Sequence, residues 1–122
     1  MENNKKIDCI TFFDNSFIFE LRFNILKDYV DFFVVCESKY DHRNNPKKLN
    51  FDLKFLEDDR VKYIVLDNPF PNGKDIWKNQ AIQREFLLDH LRSFVEDEDY
   101  IFFSDPDEIP DPKILKNFQL VK

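Results

Sequence analysis

The chain has few of the features that mark a secreted, membrane-bound or nucleic-acid-binding protein. No stretch approaches the about 18 consecutive apolar residues of a membrane span, and the start, Met1-Glu2-Asn3-Asn4-Lys5-Lys6, has no apolar signal-peptide segment. Cysteine is limited to Cys9 and Cys36, each inside a short apolar run, so no disulfide framework is implied. Without clustered histidines they do not make a zinc site either. Basic residues number 18 against 24 acidic ones, a formal net charge of -6, and they form no stripe: Lys5-Lys6 and Lys47-Lys48 are isolated pairs. That balance disfavours general binding to nucleic acid or to an anionic membrane, and an anionic ligand would need a metal ion or local cations. Repeats and low-complexity segments are absent. Together these absences predict a soluble protein of a reducing compartment, with a cytoplasmic location.

What the chain has is apolar material in the right places. Its 122 residues are 43% hydrophobic and 16% aromatic, enough for one core, and the fifteen Phe residues cluster at strand-like positions. Ile7 to Phe13 reads as a buried first strand, followed by turn and cap residues at Asp14-Asn15-Ser16. Phe17, Ile18, Leu21 and Ile25 recur at helical spacing over Phe17 to Tyr29. Asp31 to Cys36 is a continuous apolar run, the pattern of a strand covered on both faces. Glu37 to Asn50 is a polar loop whose length marks it as functional or mobile, and Phe51 to Leu56 a short helix. Val61 to Leu66 forms a third strand, ended by Asp67-Asn68-Pro69 and by Pro71-Asn72-Gly73 with the sole glycine. Asp75 or a neighbour caps a helix running to about Phe94, Asp97-Glu98-Asp99 is a solvated turn, and Tyr100 to Phe103 is a fourth strand. Asp111-Pro112 opens a last helix. Strands alternating with helices predict an α/β fold with a mostly parallel sheet, whose ligands bind beyond the carboxyl ends of the strands.

Asp105, Asp107 and Glu108 follow the fourth strand directly, on that edge. Two carboxylates one residue apart in a tight turn supply the hard oxygen ligands that Mg²⁺ or Mn²⁺ prefers and leave positions for phosphate oxygens. The plainer alternative is an acidic surface turn leading into a helix capped by Asp111. Glu37 and Ser38 follow the second strand, at the ligand edge, where a donor-binding pair and a strand-terminating surface pair are equally compatible with position. Gln83-Arg84 places a guanidinium fork on a helix. Glu20 and Arg22, two apart, face different ways and do not pair with each other. Trp77 and the Phe12-Phe13, Phe32-Phe33 and Phe102-Phe103 pairs are expected to be core packing.

Four blocks in order resemble glycosyltransferase family 17, the β-1,4-mannosyl-glycoprotein N-acetylglucosaminyltransferases. They are Asp8-Cys9-Ile10-Thr11-Phe12-Phe13 with Glu20-Leu21-Arg22-Phe23-Asn24; Val35-Cys36-Glu37-Ser38 with His42, Pro46-Lys47, Leu49 and Phe51; Asp75-Ile76-Trp77 with Gln83-Arg84; and Ser104-Asp105-Pro106-Asp107-Glu108-Ile109-Pro110, similar to the family's Ser-Asp-x-Asp-Glu-Ile-Pro. Asn44 stands where the family usually has Gly, Lys48 where it often has Pro, and Gln80 where an acidic residue is common. The resemblance implies a GT-A-like nucleotide-binding fold and a metal-dependent, inverting transfer of a sugar, N-acetylglucosamine, from a UDP-sugar donor to the hydroxyl of a glycan or other acceptor. It implies Asp107 as metal ligand (Mn²⁺ or Mg²⁺) and Asp105 as second ligand or ribose acceptor, with Glu37, Ser38, Gln83 and Arg84 toward the donor. Glu108 is expected to accept a backbone donor and brace the turn, and no residue is assigned as catalytic base. Family members continue past the acidic motif into an acceptor-binding half, so the expectation is a donor-binding half, incomplete at its C-terminus. A non-catalytic binding domain and a metal-dependent phosphohydrolase are the rival readings. An uncovered sheet edge in such a half predicts association into a homo-oligomer.

Overall fold

A computed structural model of the protein describes residues 5–14, 16–71, 73–93, 95–96 and 99–113. The expected end of the second long helix at Phe94, the turn at Asp97-Glu98 and the body of the last helix lie outside the described residues. Four strands carry the sheet: β1 (Lys6–Phe12), β2 (Phe32–Ser38), β3 (Val61–Leu66) and β4 (Tyr100–Phe103). Helix α1 (Ser16–Leu26) links β1 to β2, and α2 (Ile76–Leu91) links β3 to β4. A short 3₁₀ helix, Leu53–Glu57, precedes β3 with Asp52 accepting from the Lys54 amide at its start. All strand pairings are parallel and the order is β3-β2-β1-β4. The protein is therefore an α/β domain built on a parallel sheet.

That order has a reversal in it. β1, β2 and β3 progress outward in one direction, and the chain then returns through α2 to lay β4 on the other side of β1. In parallel α/β sheets such a reversal leaves a crevice beyond the carboxyl ends of the two strands that flank it, here β1 and β4.

The alternation of side chains along the strands divides the core into two layers. Ile10, Phe12, Phe33 and Val35 face α1 and the 3₁₀ helix, packing with Phe19, Leu26, Phe51, Phe55 and Val61. Ile7, Cys9, Val34 and Cys36 face α2 and meet Leu87 and Leu91. The first layer is mostly aromatic: Phe19 sets its ring edge-on to Phe51 at 5.0 Å and to Phe55 at 4.9 Å between centroids. Such edge-to-face pairs add to simple area burial.

One helical stripe differs from the sequence-based expectation. On α1 the buried residues are Phe19, Arg22 and Leu26, whereas Phe17 and Leu21 are 71% and 43% exposed. The helix is apolar nearly all round, so spacing alone selects a neighbouring stripe. On α2 the buried stripe is Asn79, Gln83, Leu87 and Leu91, polar in its first two turns and apolar in its last two.

The polar stretch after β2 is tied down along its length. Asp41 accepts from the amides of Arg43 and Asn45, and Asn44 has a φ of 69°, in the left-handed region. Glycine enters that region freely, and asparagine is among the few other residues that tolerate it. Asn44 also uses its amide in both directions on the Phe70 backbone, at 2.9 Å each, which glycine could not do.

Candidate functional site

The site begins with a buried charge pair. Asp8, in the middle of β1, and Arg22, on the inward face of α1, are 1% and 0% exposed. Arg22 Nε donates to Asp8 Oδ2 at 2.7 Å and Nη2 to Oδ1, a two-point contact. Buried charges persist only when paired and hydrogen-bonded, and a guanidinium fork matches a carboxylate in that way. The rest of the fork reaches past Asp8 to the chain leaving β4. Nη2 donates to Ser104 Oγ at 2.8 Å, and Nη1 to the carbonyls of Asp105 at 3.0 Å and Glu108 at 3.2 Å, with Pro106 at 3.4 Å.

The turn so held also closes on itself. Ser104 Oγ donates to the Glu108 carbonyl at 2.8 Å, the Glu108 amide to the Asp105 carbonyl at 2.9 Å, and the Asp105 amide to Glu108 Oε1 at 3.2 Å. Glu108 thus accepts a backbone donor within the turn. The carboxylates of Asp105 and Asp107 are exposed and, among the described residues, accept no hydrogen bond, which leaves their oxygens available.

Both aspartates line a cavity of about 530 Å³ at the carboxyl ends of β1 and β4, where the strand order reverses. β1 and the residues after it contribute Thr11, Phe12, Phe13 and Asp14, while Phe103 comes from β4. α2 turns Trp77, Gln80 and Arg84 toward the cavity, and the loop after β2 adds His42. Arg84 is the only Lys or Arg among the lining residues, and its guanidinium sits 5.7 Å from the centre of the Phe103 ring. Three aspartates against one arginine make the cavity acidic.

Gln83 and Arg84, adjacent in sequence, part company on the helix. Arg84 lines the cavity; Gln83 is 3% exposed, donates through Nε2 to the Cys36 carbonyl at 3.0 Å and meets His42 Nε2 through Oε1 at 2.6 Å. Glu37 is likewise turned inward. Its carboxylate is fully buried and takes four donors: Lys47 Nζ at 2.6 Å, the Asn50 amide at 2.7 Å, the Phe51 amide at 3.1 Å and Tyr63 Oη at 2.6 Å. Ser38 is 1% exposed and accepts from the Tyr40 amide at 3.0 Å. Of the residues expected at a donor or metal, Arg84, Asp105 and Asp107 therefore share one cavity, whereas Glu37, Ser38 and Gln83 hold the framework behind it. The physical reason is the extent of β2: it runs through Ser38, so residues expected just past the strand lie within it.

Trp77 corrects the expectation of a core tryptophan. It is 80% exposed, because the sheet-facing stripe of α2 passes through Asn79 and a residue two positions away points to the other side. Phe13 is 47% exposed and also lines the cavity, so the Phe12-Phe13 pair is packing only at Phe12. Glu20 pairs with Lys54 at 3.2 Å, and Arg22 with Asp8, as their separate faces require. Sequence reasoning missed Asp8 and Arg22 as a unit. The available signal was a lone acid in an apolar strand and a lone base among apolar helix positions, each of which demands a buried partner.

The cysteines take no part in the cavity. Burial pushes the thiols of Cys9 and Cys36 up to about 12, with Asp8 adding to the shift at Cys9. Among the described residues no three His, Cys, Asp or Glu side chains gather into a ready-made metal cage, and no helix is long and apolar enough to cross a membrane.

An α/β domain with an acidic turn fixed at its strand-order reversal has the architecture of nucleotide-binding-like folds. The family model of Glycosyltransferase family 17 matches residues 1–122, and the chain belongs to that family. It is 33% identical over 105 residues to the β-1,4-mannosyl-glycoprotein 4-β-N-acetylglucosaminyltransferases of Homo sapiens and Rattus norvegicus, and 32% identical to that of Mus musculus. Each alignment covers 76% of this chain and 19% of the relative, so the chain spans about a fifth of the length of these proteins. No solved structure matches it.

Proposed function

We propose that this domain binds a UDP-sugar through a divalent cation and serves the transfer of N-acetylglucosamine to a glycan hydroxyl, with inversion at the anomeric carbon. The observation that carries this reading is the turn Ser104–Pro110: it is immobilised through its own backbone and Arg22, while the carboxylates of Asp105 and Asp107 remain available at the cavity. The names of the mammalian relatives supply the transferred sugar and the class of acceptor.

The donor set suits Mn²⁺ or Mg²⁺. Such ions are commonly held by one or two carboxylates plus substrate phosphates, and Asp105 and Asp107 offer two hard oxygen donors at the cavity. When bound, the cation supplies the positive charge that neutralises a departing diphosphate. Asp105 and Asp107 would hold it. Arg84, propped on Phe103, adds a fixed charge able to donate to a phosphate oxygen. Glu37, Ser38 and Gln83 keep the β2 end and its loop in place around the cavity.

Calorimetric titration with UDP and UDP-N-acetylglucosamine, in Mn²⁺ and again in chelator, tests the proposal. Cation-dependent binding of both is the expected result; indifference to every sugar nucleotide with and without metal would refute it. A coupled assay for transfer to glycan acceptors then separates a catalyst from a binding domain.

A further inference from the structure

His42 is held by contacts that decide which of its ring nitrogens can serve a ligand. Gln83 spends its Nε2 on the Cys36 carbonyl at 3.0 Å, so the amide oxygen is the atom that faces the imidazole. His42 Nε2, 2.6 Å from that oxygen, must therefore be the donor. In the neutral ring this leaves the lone pair on Nδ1. No donor among the described residues meets it. The ring is also packed edge-on against Phe70 at 5.8 Å, and the His42 carbonyl accepts from Asn79 Nδ2 at 2.9 Å, which docks the residue against the first turn of α2. Trp77 belongs to that same turn, is 80% exposed, and lines the cavity with His42.

A flat apolar face beside a fixed hydrogen-bond acceptor is a chemical description of a heterocycle-binding subsite. Aromatic faces stack on any base, whereas an acceptor of fixed orientation distinguishes bases by what they offer at their pairing edge. Uracil presents an N–H at N3. Cytosine at N3 and adenine at N1 present lone pairs, so either base placed as uracil is would oppose the lone pair of Nδ1 and would have to shift to offer its exocyclic amine instead. Glu37 is not available for this role, since four donors occupy its carboxylate.

We propose that His42, oriented by Gln83, and Trp77 form the base-reading subsite of the cavity, selecting an imide-type base such as uracil over cytosine or adenine. The inference rests on the nucleotide-sugar site proposed above and assigns its base specificity to one ring nitrogen.

The test compares UDP, its N3-methyl analogue, CDP and ADP by calorimetry in Mn²⁺, on the intact chain and on His42→Ala and Trp77→Ala. The intact chain should bind UDP about tenfold more tightly than the other three, the value of one hydrogen bond with a desolvated partner. His42→Ala should weaken UDP alone and so erase the preference, while Trp77→Ala should weaken all four alike. Equal binding of UDP and N3-methyl-UDP by the intact chain would overturn the assignment and leave the nucleotide site standing, with no variant required. So would a His42→Ala loss shared equally by all four ligands. Failure of every nucleotide to bind would overturn the site and the subsite together.

Discussion

Arg22 on α1 grips Asp8 on β1 with two nitrogens and, with the donors that remain, the turn that follows β4. The pair is both a stability element and the mount of the acidic turn, and the two roles separate experimentally. Arg22→Met leaves the Asp8 carboxylate buried without its partner, and should lower unfolding stability by about 3–5 kcal/mol in urea denaturation. Arg22→Lys keeps the charge but not the fork. At a temperature where it remains folded by circular dichroism, it should weaken Mn²⁺-dependent UDP binding by roughly tenfold, because the carbonyls of Asp105 and Glu108 lose their shared donor. Unchanged affinity would show that the turn holds its shape without Arg22.

Asp107→Ala removes an exposed carboxylate that accepts no hydrogen bond among the described residues. Stability should change by no more than about 0.5 kcal/mol, while metal-dependent UDP binding disappears in the same preparation. Retained binding would take Asp107 out of the metal set.

Glu37→Gln replaces an acceptor of four hydrogen bonds by a group with one oxygen and an unwanted donor. A cost of about 1–3 kcal/mol is expected from the partners left unsatisfied, read as a lower urea midpoint. Faster hydrogen exchange should be confined to the amides of Asn50 and Phe51, which donate to this carboxylate. Loss of nucleotide affinity without any change in stability would instead indicate direct contact with the ligand.

The thiols predict an alkaline weakness. In the folded chain Cys9 and Cys36 titrate at about 12, against 9.0 for the unperturbed group, chiefly because burial penalises the thiolate. The unfolded state therefore releases these protons first. The stabilisation is complete below 9.0 and is lost progressively as pH rises toward about 12. Tyr63, raised by burial and then by its bond to Glu37, loses stability with pH in the same sense. The urea midpoint should fall as pH rises from about 9 toward about 12, and less steeply in the Cys9→Ala/Cys36→Ala variant. An equal slope in both would exclude the cysteines as the cause.

The strands were the most legible part of the sequence. Val61–Leu66 and Tyr100–Phe103 match their expected bounds because each is an apolar run between turn residues. Helix faces were less legible: α1 carries apolar residues on every side, so its inward stripe is chosen by what the sheet offers, and the sheet offers Asp8 to Arg22. The acidic turn was legible as a motif, and Asp105, Asp107 and Arg84 do converge on one cavity. The inward commitment of Glu37 and Gln83 was not, because it depends on donors from the loop 39–52 and on His42, whose path no local pattern specifies. Asn44 shows the same limit in a milder form. Its place in a family position usually held by Gly signals special backbone geometry, but its clamp on Phe70 is visible only in three dimensions.

The pairing of β4 with β1 joins the two ends of the described chain: the Lys5 amide donates to Asp99, 94 residues away, and Tyr100 to the Lys5 carbonyl. The first three strands can meet their neighbours through short excursions, whereas this closure spans 94 residues and carries the largest loop-entropy penalty among the described pairings. During synthesis the cavity therefore cannot exist until the Ser104–Pro110 turn has been made and has travelled back to Arg22. Any ligand that bridged the two strand ends would stabilise this closure by mass action, so the cavity's capacity to bind would report on the completeness of folding.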